Sequence, residues 1–166
     1  MTGRSLVVST CILVGLLAAA PAMAGITIEE MPLADGRRAI VHDGKVYLPN
    51  PAGALRLAPK RRYALKGGGE LAVKAGGRLH RTVLEKGFDP QPEPPGISLH
   101  GELLGGEEVV LERRQLFLVK AGARSLSPDG SYRLTGGASL KVLGGRIVEL
   151  SSLEGLTLNG ANQAQR

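Results

Sequence analysis

The chain has 166 residues, a formal net charge of +6, 24 glycines, three tyrosines, two phenylalanines and no tryptophan. A basic chain favours anionic partners, but so few aromatic side chains leave little for base stacking, which makes nucleic acid a poor candidate partner. The only cysteine is Cys11. This excludes a disulfide framework within the chain, and the residues after Cys11 hold no thiol for catalysis or metal binding.

Residues 1–24 predict a secretory signal peptide. Arg4 precedes an apolar run from Leu6 to Ala20, and the small residues Ala22 and Ala24 suit a cleavage site. The run is 15 residues long, shorter than the ~20 that a spanning helix needs, so an uncleaved anchor is disfavoured. We therefore expect an exported protein, periplasmic or extracellular, that begins at Gly25 and has no transmembrane segment after cleavage.

Residues 25–95 form the first predicted β unit. Short apolar runs alternate with polar residues and are separated by glycines, which is the pattern of strands and tight turns. The clearest turn signal is "HDGK", His42–Lys45, between the apolar runs "AIV" and "VYL". Asp-Gly is favoured in a two-residue hairpin loop because both positions take positive φ angles.

A proline-rich stretch ends this unit. The sequence "GFDPQPEPPG" places Phe88 ahead of Pro90, Pro92, Pro94 and Pro95. We interpret it as a stiff connector, since closely spaced prolines favour an extended chain and cannot donate ladder hydrogen bonds. The alternative is a polyproline II ligand that docks into an aromatic groove of a partner protein.

Residues 96–158 form the second β unit, which repeats the first. Ala52–Leu79 aligns with Ala121–Ile147, with 14 of 27 pairs identical. Upstream, "GRRAIVHDGKVYL" matches "GEEVVLERRQLFL" in apolar pattern, and "GITI" matches "GISL". We predict an all-β protein of two tandem repeats of about 70 residues, each with about six antiparallel strands.

The two repeats are expected to pack together. A β unit of this size without disulfides is marginal alone, so we predict a shared core with pseudo-twofold symmetry, as a sandwich or a partly closed barrel. A β-solenoid is disfavoured because its rungs are much shorter than this repeat. Residues 159–166 predict a disordered polar tail.

Two tyrosines and two arginines occur in both units: Tyr63 and Tyr132, and Arg78 and Arg146. The favoured interpretation is structural, with each ring packed inward and its hydroxyl at the rim, and each arginine over a strand end. If the protein has a twofold ligand site, these four residues are its candidates.

One turn differs in charge between the units. "PKRRY" carries Lys60, Arg61 and Arg62, whereas the aligned "PDGSY" is an ordinary Pro-Asp-Gly turn. These three cations are candidates for contact with an anionic component of the cell envelope. The plainer interpretation is a solvated turn, since charge runs are usually exposed faces.

No catalytic constellation stands out. The sequence has no nucleophile elbow, P-loop or zinc-protease motif, and His42, His80 and His100 lack metal-ligand spacing. We therefore predict no catalytic residue, no metal and no cofactor. One acid–base alternative stays open: His100 and Glu102 share a strand face, although a surface ion pair is favoured.

The leading interpretation is a non-catalytic, exported β-rich binding or structural module of the bacterial cell envelope. It follows from the signal peptide, the repeated β pattern and the lack of a catalytic motif. The alternatives are an assembly component that docks through the proline-rich segment, and a small envelope glycan hydrolase.

Overall fold

The structure, a computed structural model, describes residues 26–84 and 97–159. The protein is 60% strand and 2% helix, so the predicted all-β class is confirmed. No helix in the described ranges is long and apolar enough to cross a membrane. The predicted signal peptide, the proline-rich stretch with all its candidate docking residues, and the tail beyond Asn159 lie outside the described residues.

The first half, residues 26–84, forms two antiparallel sheets. Strands β1–β4 make one sheet in sequence order, and β5–β7 make the other. A short 3-10 turn joins β6 to β7. The strands are β1 (Ile28–Pro32), β2 (Arg38–His42), β3 (Lys45–Pro49), β4 (Leu55–Leu57), β5 (Arg62–Ala64), β6 (Gly69–Val73) and β7 (Leu79–Leu84).

The second half, residues 97–159, also forms two antiparallel sheets, one of five strands and one of three. Strands β8–β11 form one sheet in order, β12–β14 form another, and β15 pairs with the free side of β8. The strands are β8 (Ser98–Glu102), β9 (Glu108–Glu112), β10 (Gln115–Lys120), β11 (Ala123–Leu126), β12 (Gly130–Arg133), β13 (Ser139–Leu143), β14 (Arg146–Leu150) and β15 (Thr157–Leu158). None of these sheets closes on itself.

The predicted strand count of about six per unit is too low. Seven strands lie in residues 26–84 and eight in residues 97–159. The difference lies in very short strands such as Leu55–Leu57 and Thr157–Leu158, which have too few residues to show an alternating pattern. Their pairing partners, not their own sequence, make them strands.

The hairpin between β2 and β3 forms as predicted. Asp43 has φ 48° and Gly44 has φ 65°, the two positive values that this turn requires. The corresponding turn between β9 and β10 holds Arg113 at φ 49° and Arg114 at φ 62°. The Cβ of an arginine makes this region costly, so this turn forms against the preference of its residues, and the Arg114 carbonyl accepts the Ile147 amide at 2.8 Å.

Strands β2 and β3 are buried on both faces. Val41 and Val46 face a core cluster that contains only first-half residues, including those of the β5–β7 sheet. Ile40 and Tyr47, both 0% exposed, belong to a second cluster made largely of second-half residues such as Leu99. The first sheet therefore lies between the β5–β7 sheet and the second half.

The segment from Leu150 to Asn159 joins the two halves. The Leu55 amide donates to the Leu156 carbonyl at 2.7 Å, and the Leu158 amide donates to the Gly53 carbonyl at 2.9 Å. On its other side the same segment pairs with β8. It therefore lies between β4 of the first half and β8 of the second, and hydrogen-bonds to both.

Candidate functional site

The predicted basic turn lies between β4 and β5 and is exposed. Arg62 is only loosely paired, since its guanidinium is 3.5 Å from Glu70 and the two side chains are 78% and 39% exposed. Such a pair contributes little to stability. In the described part of the chain, Lys60 forms no ion pair. The turn thus presents positive charge to solvent.

Arg61 is positioned by a tyrosine. Its guanidinium carbon lies 5.1 Å from the centroid of the Tyr63 ring, within the range of a cation–π contact. The ring is 4% exposed and belongs to the first-half core, so it is a fixed platform. Burial raises the pKa of Tyr63, while Arg61 opposes that shift.

A fourth cation, Arg37, lies close to this turn and was not predicted. It belongs to the β1–β2 turn, where it donates to the carboxylate of Asp35 from Nε at 2.9 Å and from Nη2 at 2.6 Å. These hydrogen bonds lower the pKa of Asp35, and the charge of Arg61 acts in the same direction. The sequence does indicate this extra cation, because "GRR" at residues 36–38 aligns with the acidic "GEE" at residues 106–108.

The two tyrosine hydroxyls have the same hydrogen bond. The Tyr63 hydroxyl donates to the Pro59 carbonyl at 3.0 Å, and the Tyr132 hydroxyl donates to the Pro128 carbonyl at 2.6 Å. Each bond ties a strand to the turn four residues upstream. Both hydroxyls therefore have structural partners.

The structure does not bring the four repeated residues together. Tyr63 packs in the first-half cluster and Tyr132 against the other. Arg78 and Arg146 are exposed at the starts of strands in different sheets. None of the four lines the three clefts described below.

The turn at residues 128–132, which aligns with the basic turn, carries a negative charge on Asp129 that is hydrogen-bonded within the fold. The Asp129 carboxylate accepts the Gly145 amide at 3.2 Å. Hydrogen bonds from the amides of Gly144 and Gly145 lower the pKa of Asp129. The second half therefore uses one anion to hold two turns together, where the first half exposes three cations.

Residues within 26–84 and 97–159 line clefts at three places on the surface. One of about 530 Å³ lies where residues 26–43 meet β12–β14. A second, about 330 Å³, contains both His100 and Glu102 together with Glu108. The third, about 300 Å³, is lined by Leu104, Arg133 and neighbours. No group of three metal-ligating side chains is found among the described residues.

His100 and Glu102 do share a cleft, but the structure gives them no acid–base contact. The Nε2 atom of His100 lies 3.4 Å from the Ser98 hydroxyl. Glu102 is placed opposite Glu108 on the neighbouring strand.

No protein-family model, curated protein or solved structure matches this chain.

Proposed function

We propose that the protein is an exported, non-catalytic binding module that attaches to an anionic component of the cell envelope through its first half. The contact surface, which we call the basic surface, consists of Lys60, Arg61 and Arg62 together with Arg37. Anionic lipid headgroups and acidic polysaccharides both carry the charge that such a surface favours.

The observation that carries this proposal is that the fold does not need these cations. The second half builds the corresponding turn with Asp129, Gly130 and Ser131, and its tyrosine makes the same hydrogen bond to the proline carbonyl. Three adjacent positive charges repel one another at a cost in free energy, which the Tyr63 ring and the exposed Glu70 offset only in part. A ligand of opposite charge explains them.

The position of Arg61 supports binding rather than simple solvation. A guanidinium stacked on a buried ring loses less side-chain freedom when it binds than a free one. Its N–H groups lie in the plane of the guanidinium and so are available to an anion at its edge. Arg37 lies on the next turn at the edge of this surface, where its charge is paired with Asp35.

The test is binding to vesicles that contain phosphatidylglycerol. The triple variant Lys60→Glu, Arg61→Glu, Arg62→Glu is expected to bind at least about 100-fold more weakly, since each lost cation contributes about 1 kcal/mol at an anionic surface and the new carboxylates add repulsion. The matched control reverses Lys120, Arg124 and Arg133, which are exposed in the second half. It has the same net charge as the first variant and should lose only a few-fold in affinity.

A second arm uses a heparin column to separate the two sources of anionic charge. Earlier elution of the basic-surface variant than of the control from heparin, with equal vesicle binding, assigns the surface to a polysaccharide. Equal losses for both triple variants in both assays would contradict the proposal, because net charge alone would then explain binding.

We also infer that the two halves descend from one duplicated unit. Supporting this are paired hydrogen bonds at corresponding positions, such as Leu33 amide to Arg37 carbonyl and Leu103 amide to Glu107 carbonyl, both at 2.8 Å. The predicted pseudo-twofold packing as a sandwich or partly closed barrel stays a prediction. So does the connector role of the proline-rich stretch, with docking as its alternative.

A further inference from the structure

The cleft of about 530 Å³ lies at the junction of the two halves. One wall is a row of side chains on neighbouring strands: Ser131 is opposite Lys141, and Lys141 is opposite Glu149. The other wall comes from the first half, with Thr27 ahead of β1 and Asp43 in the β2–β3 turn. Its volume is within the usual range for small-molecule sites.

The two walls are held in place by a buried histidine. The ring of His42 is 4% exposed, with Nδ1 at 3.1 Å from the Thr27 carbonyl and Nε2 at 2.8 Å from the Leu150 carbonyl. Both ring nitrogens thus lie within hydrogen-bond distance of backbone oxygens, one from each half. His42 therefore fixes the shape of the cleft, and other side chains must contact a ligand.

Several polar groups of the cleft are available to a ligand. Within residues 26–84 and 97–159, the side chains of Thr27, Asp43 and Ser131 form no hydrogen bond or ion pair. Lys141 and Glu149 are 3.8 Å apart and 51% and 72% exposed, so their pairing is weak. The site offers hydroxyls, carboxylates and one ammonium, a mixture of donors and acceptors.

The chemistry of this set selects a class of ligand. Two carboxylates against one ammonium disfavour an anion. Ile26, Leu140 and Leu150 add an apolar part, which suits a ligand with C–H faces as well as hydroxyls. We propose that this cleft binds a neutral sugar or short neutral oligosaccharide.

This site is separate from the basic surface. Thr27 and Asp43 are at one end of the β1–β2 hairpin, and Asp35 and Arg37 are at the other. Five residues of strand at about 3.3 Å each place the two ends about 17 Å apart. The sugar proposal therefore does not rest on the anionic one, and each is tested by different substitutions.

The experiment is titration of the isotope-labelled protein with maltotriose, cellotriose and tri-N-acetylchitotriose, followed by amide chemical shifts. At least one sugar should shift the amides of Thr27, Asp43 and Lys141 in a saturable way, with a millimolar dissociation constant. Ser131→Trp fills the cleft from an exposed strand position and should weaken binding at least tenfold. Ser125→Trp, also on an exposed strand position, is the matched control and should leave it unchanged.

A second variant keeps the proposal testable if Ser131→Trp fails to fold. Lys141→Met removes, from an exposed position, the one ammonium that the described residues place in the cleft, and it should weaken sugar binding at least threefold with an unchanged melting temperature. Three results would overturn the proposal: no saturable shift with any of the three sugars, unaltered binding by both Ser131→Trp and Lys141→Met, or stronger shifts at the cleft with inorganic phosphate than with sugar.

Discussion

At the scale of single residues, charge is used in two different ways on the same framework. Asp129 and Asp35 are exposed carboxylates whose oxygens are tied to nearby donors, in one case backbone amides and in the other Arg37. In both, the hydrogen bonds lower the carboxyl pKa. Lys60 and Arg62, by contrast, have no comparable structural partner, which is why we assign them to binding.

Acid should therefore weaken the fold through these carboxylates. A group whose folded pKa is lowered stabilises the folded state above its unfolded pKa, and this contribution is lost as the pH falls through the folded pKa. Asp129 has an ordinary value of 3.8 and a lower one when folded. The free energy of unfolding should thus be flat near neutral pH and decrease below about pH 4.

Asp129→Asn tests this directly. The amide oxygen still accepts the Gly145 amide but carries no charge, so the variant should be less stable than the parent at neutral pH. The difference should shrink towards zero in strong acid. Urea unfolding followed by far-ultraviolet circular dichroism at several pH values measures it; a difference that does not change with pH would refute the assignment.

At the scale of elements, the β12–β13 turn packs against the segment from Leu150 to Asn159. The two backbones lie so close that no side chain fits at Gly136. A Cβ added to Gly136 would lie 2.6 Å from the Glu154 carbonyl oxygen and 2.8 Å from the Gly155 Cα. Both are backbone atoms, so neither can rotate away. This approach brings the segment within reach of both β4 and β8.

Gly136→Ala is therefore expected to destabilise the protein by about 1–3 kcal/mol, the usual cost of forced overpacking. The control is Gly105→Ala, where an added Cβ meets no atom within 4 Å and φ is outside the left-handed region. That change should be neutral or slightly stabilising. Equal melting temperatures for the two variants would show that the segment moves freely.

The elements also show what the sequence could predict. Hairpins signalled by Asp43-Gly44 and Gly144-Gly145 form because their turn residues favour positive φ. The alignment of "GITI" with "GISL" is one residue out of register: Ile28 is opposite His42 and Ser98 is opposite Glu112, so Ile28 corresponds to Ser98. A match of four residues cannot fix a register that strand pairing decides.

For the same reason, the sequence could not predict the long-range contacts. Strand β15 has two residues and pairs with β8 and, through Thr157, with Ala54. No local pattern indicates partners so distant in the chain. The basic turn could be predicted because its charge is local, whereas the cleft could not, since its walls come from residues about a hundred positions apart.

At the scale of the whole molecule, the halves share one core cluster. Ile40, Tyr47 and Leu55 of the first half are 0% exposed and pack in the same cluster as Leu99 and Leu140 of the second. The Tyr47 hydroxyl also lies 3.4 Å from the Ser152 hydroxyl. The folded halves therefore depend on each other, and they are expected to unfold together.

Tyr47→Ala should destabilise both halves equally. Removing a buried aromatic ring costs about 3–5 kcal/mol, and in a single cooperative unit every slowly exchanging amide loses that protection. Native-state hydrogen exchange should show the same decrease in β13 as in β3. Leu104→Ala, at a side chain that is 67% exposed, is the control and should change neither. A decrease confined to residues 26–84 would mean that the halves fold independently, and the cleft between them would then lack the rigid walls that a sugar site needs.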